Sequence, residues 1–195
     1  MRHLLTLIKV RITSLVTLTA MAGYGLAPRP EWGWRFANVA VGVFLITAGA
    51  SAVNMFMERR TDALMNRTRT RPLPMKSMTP AAALAVGGVA SVLGLLVLLP
   101  LGLLPAGIAA LCWLLYIVVY TPLKAMTSLN TVVGAIPGAL PPLIGWTAAG
   151  APLTMLAKKI FDSKPAVLLA RRAAAPFSRK RGVLPWVRED LDPSR

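Results

Sequence analysis

Long uncharged apolar stretches alternate with short charged segments along this chain of 195 residues. The stretches predict five membrane-crossing segments, at residues 12–28, 36–58, 79–99, 103–120 and 131–149. Their lengths are close to the roughly 20 residues that an α-helix needs to cross the hydrocarbon core. Because helices satisfy their backbone hydrogen bonds internally and open sheets cannot, the pattern predicts an all-α, polytopic transmembrane helical bundle of about five spans.

Prolines, glycines and a loss of long apolar runs mark where the predicted helices and the membrane domain end. Pro100, Gly102 and Pro105 supply a tight turn between the third and fourth stretches. The fifth stretch contains three prolines, which predict a kinked or broken helix that either crosses the membrane or re-enters on one side. Residues 1–150 are therefore predicted to form the membrane domain. The basic tail at residues 151–195 has no long apolar run, and it is predicted to lie on a surface or to be disordered.

Charge is distributed unevenly, with 22 Lys and Arg against 7 Asp and Glu and a net charge of +15. Six basic residues lie between the second and third stretches: Arg59, Arg60, Arg67, Arg69, Arg71 and Lys76. The positive-inside rule predicts that this loop faces the cytoplasm, with anionic lipid as its ordinary partner and no role for nucleic acid. The basic, apolar N-terminus also fits a signal peptide, but no convincing cleavage site follows it.

Three oxygen-bearing side chains, here called the acid ladder, lead from the second stretch into this loop. Asn54, Glu58 and Asp62 stand four residues apart, so on a helix they share one side and span about 12 Å. Arg67 and Arg71 repeat the four-residue spacing with the opposite charge. Carboxylates are ligands that Mg²⁺ prefers, and guanidinium groups bind phosphate oxygens. The pattern therefore predicts a diphosphate site at the membrane surface, although local ion pairing among these residues is the alternative.

Three blocks of sequence resemble a known family. Residues 54–73, N-x-x-x-E-x-x-x-D-A-x-M-x-R-T-x-x-R-P-L, are similar to the first acid-rich motif of the UbiA-type intramembrane prenyltransferases, in the form typical of haem O synthases. Residues 9–15, K-V-R-I-T-S-L, resemble the opening K-P-R-I-T-x-L of that subfamily, with Val10 in place of proline. Residues 120–146 resemble its Y-T-x-x-L-K and N-x-x-x-G-x-x-x-G-A-x-P-P-x-x-G-W block. The resemblance covers residues 4–150.

This resemblance implies a bundle of nine transmembrane helices around a lipid-facing cavity, of which the chain would form the N-terminal part. It implies Mg²⁺-dependent transfer of a farnesyl group from farnesyl diphosphate to a vinyl group of haem b, which gives haem O. Haem b would be a substrate rather than a permanent cofactor. The expected location is the bacterial inner membrane, and other haem-biosynthesis or oxidase-assembly membrane proteins are conceivable partners.

The resemblance also implies roles for individual residues. Asn54, Glu58 and Asp62 would be the catalytic set, with Glu58 and Asp62 holding Mg²⁺ and Asn54 as a neutral ligand or neighbour. Substrate would be bound by three basic residues: Arg67, Arg71 and Lys124. The second acid-rich motif of the family has no counterpart after Gly150. Two alternatives therefore stay open, a quinone or other aromatic prenyltransferase of the same fold and a truncated, non-catalytic membrane remnant.

Overall fold

The computed structural model describes residues 2–124 and 130–161, so residues 125–129 of the third block and the predicted tail after Phe161 lie outside the described part. Every regular element in the described ranges is helical, which confirms the all-α prediction. The α-helices are α1 (Arg2–Leu7), α2 (Val10–Gly25), α3 (Trp34–Leu64), α4 (Pro80–Leu98), α5 (Leu103–Leu114), α6 (Thr121–Leu123), α7 (Asn130–Ala148) and α8 (Leu153–Phe161). The chain divides into two compact units, Met1–Pro152 and Leu153–Arg195.

Four helical stretches are long and apolar enough to span a membrane: Trp34–Leu64, Pro80–Leu101, Leu103–Leu123 and Asn130–Ala148. They include a 3₁₀ turn after α4 and a π-helical segment, Leu115–Tyr120, after α5. The first predicted span corresponds to α2, which has 16 residues and a length of about 24 Å. Because the hydrocarbon core is about 30 Å thick, α2 is short for a crossing, and its role as a fifth span stays a prediction.

Helix α7 continues through Pro137, Pro141 and Pro142, so the break that was one of the two predicted forms is absent, and the kink stays a prediction. A proline at position 141 has no N–H to donate to the carbonyl of Pro137, four residues earlier. The thiol of Cys112 on α5 lies 3.3 Å from that carbonyl and donates to it. A neighbouring helix thus provides a donor that α7 itself lacks, which is how prolines are tolerated in membrane helices.

Small residues allow the helices to approach closely. A side chain at Gly49 or Gly94 would overlap atoms of the opposite helix, because α3 and α4 touch along these glycines. A side chain at Gly145 of α7 would likewise overlap the carbonyl of Ala20 on α2. Close backbone approach of this kind is the usual way in which membrane helices associate. The result is a ring of α2, α3, α5 and α7, with α4 packed most extensively on α3.

Side chains donate hydrogen bonds to backbone carbonyls at the end of the bundle where α3 begins. Arg35 donates to the carbonyl of Ala148, at the end of α7, over 3.1 Å. The hydroxyl of Tyr24 on α2 donates to the carbonyl of Glu31 over 2.7 Å. The acid ladder lies at the opposite end of α3, where α7 begins. Helix polarity therefore gathers the predicted site residues at one end of the bundle.

Candidate active site

The last turns of α3 direct the acid ladder into the protein rather than toward lipid. Asn54 and Asp62 are 2% and 4% exposed, and the side chain of Glu58 is largely buried. The helix ends at Leu64, Met65 is extended, and the next residues fold back against the last turn. In particular, Thr68 donates its hydroxyl to the backbone carbonyl of Asp62 over 2.9 Å. This turn brings the arginines of the loop beside the acids that precede it in sequence.

Arg71 is the central cation of the site. Its Nη1 lies 2.6 Å from Oδ2 of Asp62 and 3.9 Å from Oε2 of Glu58, so one nitrogen faces both carboxylates. All three side chains are largely withdrawn from solvent. Two carboxylates so close would repel each other, and a guanidinium between them offsets that repulsion. The local ion pairing weighed as an alternative is therefore present, and it also fixes where Arg71 points.

Lys124 joins the same group from the end of α6. Its ammonium lies 3.2 Å from Oε1 of Glu58, a contact between residues 66 positions apart in the chain. Arg67 is exposed and lines the same cavity as Arg71 and Lys124. Within the part of the chain that the structure describes, Arg67 forms no ion pair. It is thus the cation of the three that keeps its full hydrogen-bonding capacity for an anion.

Lys9 is a site residue that the sequence did not single out for chemistry. Its ammonium donates to Oδ1 of Asn54 over 2.7 Å, and Nδ2 of the same amide donates to the hydroxyl of Thr121 over 3.1 Å. The backbone of Lys9 adopts the left-handed conformation, with φ of 48°, at the junction of α1 and α2. Burial of the ammonium, with repulsion from Arg71 next, lowers the pKa of Lys9 to about 8.

The signal that could have identified Lys9 was present in the sequence. It opens the block K-V-R-I-T-S-L, one of the three that carry the family resemblance, and it is a basic residue at the start of an apolar stretch. The positive-inside rule explains such a residue by topology alone, so its contact with Asn54, 45 positions away, could not be inferred.

These residues surround the mouth of a cavity of about 880 Å³ between α2, α3, α5 and α7. Four cations line the mouth: Lys9, Arg67, Arg71 and Lys124. The deeper wall is mainly apolar, with Val16, Val43, Ile46, Ala109 and Ile144 among its residues. Tyr116 and Tyr120 line the cavity as a stacked pair, with ring centroids 5.6 Å apart. The site thus combines a cationic mouth with an apolar interior, which suits a ligand with an anionic head and a hydrocarbon tail.

The charge balance at the mouth favours an anion. Four cations face only two carboxylates, Glu58 and Asp62, and these carboxylates lie behind their cationic partners rather than on the cavity wall. Among the described residues, no three acidic, histidine or cysteine side chains converge to hold a metal alone. Carboxylate and amide oxygens are ligand types that Mg²⁺ takes, together with substrate phosphates and water. In this structure the oxygens of Asp62, Glu58 and Asn54 contact Arg71, Lys124 and Lys9 instead, so an ion would have to take the place of these cations.

Comparison with known proteins finds one family and several relatives of this chain. The UbiA prenyltransferase family matches residues 16–171, which extends past the predicted limit at residue 150. A protoheme IX farnesyltransferase from Geobacter sulfurreducens is 46% identical over 151 residues, which cover 76% of this chain and 55% of the relative. A second from Anaeromyxobacter sp. is 42% identical over 76% of this chain and 50% of its own length. A mitochondrial one from Pyricularia oryzae is 42% identical over 75% of this chain and 29% of its length.

The extent of these matches defines what they establish. The chain spans about half the length of the curated bacterial relatives it matches. The chain matches no solved structure. The family match covers most of the 195 residues, including the acid ladder, the arginine loop and Lys124. Together with four helices long and apolar enough to cross a bilayer, it identifies an integral membrane protein. The chain belongs to the UbiA prenyltransferase family.

Proposed function

We propose that this chain forms part of an enzyme that transfers a farnesyl group from farnesyl diphosphate to a vinyl group of haem b, which gives haem O. The observation that carries the proposal is the cavity, in which a mouth lined by Arg71, Lys124 and two further cations opens onto an apolar interior. Its volume of about 880 Å³ falls in the range of small-molecule sites, roughly 300–1,000 Å³. The names of the relatives supply the identity of the two substrates.

The cations of the mouth would bind the diphosphate and stabilise its departure. Breaking the allylic C–O bond leaves the electron pair on the diphosphate oxygen and a positive charge on the prenyl group. Arg67 and Arg71 offer guanidinium donors, and Lys124 offers an ammonium, at the place where negative charge develops. Preorganised donors of this kind are effective because they need little rearrangement during the reaction. The apolar wall keeps bulk water from the carbocation.

Mg²⁺ would be held by Glu58 and Asp62, with Asn54 as a neutral oxygen ligand or neighbour. When bound, the ion would neutralise charge on the diphosphate as a Lewis acid. Arg71 and Lys124 contact these carboxylates, which supports the proposal that they would meet the phosphate oxygens close to the ion. Glu58 and Asp62 would thus serve the site twice, as partners that orient the cations and as oxygen ligands.

The acceptor completes the reaction in a balanced way. The vinyl π electrons of haem b form the new bond to the allylic carbon, which moves the positive charge to the neighbouring carbon of the vinyl group. Addition of water there gives a hydroxyl group and releases one proton. We place this chemistry in the bacterial inner membrane, with the arginine loop on the cytoplasmic side as the positive-inside rule predicts.

Product analysis tests the proposal. The purified chain in lipid, given haem b, farnesyl diphosphate and Mg²⁺, is expected to yield farnesylated hydroxyethyl haem by mass spectrometry. Arg71→Gln should abolish the product, whereas Arg69→Gln should not, because Arg69 lies in the same loop and forms no ion pair within the described residues. Equal product from both variants would refute the role of Arg71.

The same experiment separates the alternatives. Prenylation of hydroxybenzoate but not of haem would favour a quinone-type acceptor. Binding of farnesyl diphosphate without any product would identify the non-catalytic alternative. Absence of both binding and product would reject the proposal for this chain.

A further inference from the structure

A series of buried hydrogen bonds connects Lys9 to the start of α6. The ammonium of Lys9 donates to Oδ1 of Asn54, and Nδ2 of that amide donates to the hydroxyl of Thr121 over 3.1 Å. The hydroxyl of Thr121 in turn donates to the backbone carbonyl of Tyr116 over 2.8 Å. Asn54 and Thr121 are 2% and 6% exposed, so water does not compete for these bonds. The series therefore joins separate parts of the bundle: the α1–α2 junction, α3 and the start of α6.

The chemistry of the donors fixes the direction of this series. An ammonium only donates, so Lys9 must bond to the amide oxygen of Asn54 and not to its NH₂ group. The single hydroxyl proton of Thr121 goes to the carbonyl of Tyr116, which leaves the lone pairs of the hydroxyl to accept from Nδ2. Turning the amide over would place its NH₂ group against the ammonium. The orientation of the Asn54 amide thus depends on both of its neighbours.

The π-helical segment Leu115–Tyr120 directs Thr121 at this amide. The carbonyl of Tyr116 accepts from the backbone N–H of Thr121, five residues later, as well as from its hydroxyl. Pro122 follows directly and has no N–H to donate within the helix. A π turn holds one residue more than an α turn, so it rotates the residues after it by about 100°. Such turns are frequent at functional sites, and this one brings Thr121 to Asn54.

Thr121 lies behind Asn54 as seen from the cavity. Asn54 and Lys9 line the cavity, whereas Thr121 is not among the described residues of its lining. Thr121 can therefore influence a bound anion only through the amide. Without the hydroxyl, Nδ2 of an almost fully buried amide would lose its acceptor, which is unfavourable. The amide would then shift, and Lys9 would lose the fixed acceptor that holds its ammonium at the mouth.

We propose that Thr121 is a positioning residue of the anion site, which acts through Asn54 to hold the ammonium of Lys9 at the cavity mouth. This role rests on the proposed function, because it requires that the mouth binds the diphosphate. A donor that is held in place before the anion arrives loses little freedom on binding, so its fixed position strengthens the binding. A hydroxyl with only a structural role would affect stability and leave the affinity for the anion unchanged.

Calorimetry of inorganic pyrophosphate binding to the full chain in detergent tests this role. Thr121→Val removes the hydroxyl and should weaken binding by about three- to tenfold, the effect expected of one buried hydrogen bond. Thr121→Ser keeps the hydroxyl and should bind like the unmodified protein. Thr147→Val is the matched control, because Thr147 is also buried and donates to a backbone carbonyl of its own helix, outside the described cavity lining. It should lower Tm to a similar extent and leave the affinity unchanged.

A double-mutant cycle shows whether the effect passes through Lys9. In the Lys9→Met background, Thr121→Val should cause little further loss of affinity, because the cation that the amide holds is absent. Thr121→Ala removes the hydroxyl without placing a methyl group against the amide, and it takes the place of the valine variant if that variant is not recovered as folded protein.

Three results would overturn this role and leave the proposed function standing. They are equal affinities of the valine and serine variants, a similar loss of affinity in Thr147→Val, and an undiminished effect of Thr121→Val in the Lys9→Met background. An unmodified protein that binds no pyrophosphate would overturn both this role and the proposed function.

Discussion

Replacement of Arg71 by glutamine should destabilise the protein through the carboxylate that it leaves behind. Nη1 of Arg71 lies 2.6 Å from Oδ2 of Asp62, a residue only 4% exposed, and the second carboxylate, on Glu58, lies 3.9 Å from the same nitrogen. Removing one partner of a buried ion pair typically costs about 3–5 kcal/mol. Because Arg71 keeps some contact with solvent, we expect the lower limit of that range. For a chain of this size the loss corresponds to a fall in Tm of about 6–12 °C.

A double-mutant cycle shows whether the cost arises from the pair. Asp62→Asn removes the negative charge, so the combination of Arg71→Gln with Asp62→Asn should be less destabilised than the sum of the single variants, by about 2 kcal/mol. The five tryptophans allow thermal unfolding in detergent to be followed by fluorescence. Arg69→Gln, in the same loop, should shift Tm by no more than about 2 °C. Additive single effects, or an Arg71 variant no less stable than the Arg69 control, would refute the reasoning.

Three further predictions concern packing, backbone pairing and binding. Gly145→Val should prevent recovery of monodisperse protein in size-exclusion chromatography because its side chain would overlap α2, whereas Gly138→Ala, with open space around it, should be recovered normally. Cys112→Val should lower Tm by a few degrees because the carbonyl of Pro137 on α7 loses its hydrogen-bond donor, while Cys112→Ser should retain most stability. Equal Tm values for the two variants would contradict the role of Cys112 as that donor. Lys9→Met should weaken binding of inorganic pyrophosphate by about tenfold, as measured by calorimetry, because the cavity mouth loses a cation. Arg11→Gln, which lies outside the cavity lining, should leave the affinity unchanged. Unchanged affinity in the Lys9 variant would exclude Lys9 from the anion site.

The helical membrane fold could be predicted from the sequence because it depends on local composition. Uncharged stretches of about 20 residues predict spans without any knowledge of their neighbours, and four such helices are present. The break that was one of the two forms predicted for α7 is absent, because tolerance of proline depends on neighbouring helices. Its prolines were read against an isolated helix, whereas Cys112 of another helix bonds one of the carbonyls that they release.

The candidate site was predictable to the extent that its residues lie close together in sequence. Four-residue spacing placed Glu58 and Asp62 on one side of a helix, and that geometry follows from helix periodicity. The approach of Lys9 to Asn54 and of Lys124 to Glu58 depends on how distant helices pack, across 45 and 66 positions. No local pattern encodes such contacts. The ion pairs of Arg71 and Lys124 are present in the structure, and anion binding by the same side chains stays a prediction.

The length of α3 determines where its charged end lies relative to the membrane. Its 31 residues extend for about 46 Å, which is about 16 Å more than the thickness of the hydrocarbon core. The segment from Asn54 to Leu64 is about 15 Å long, close to that difference. The charged end of the helix therefore stands at the level of the headgroups. An anion bound beside Arg71 and Lys124 would therefore arrive and leave through the headgroup layer and would not have to cross the hydrocarbon core.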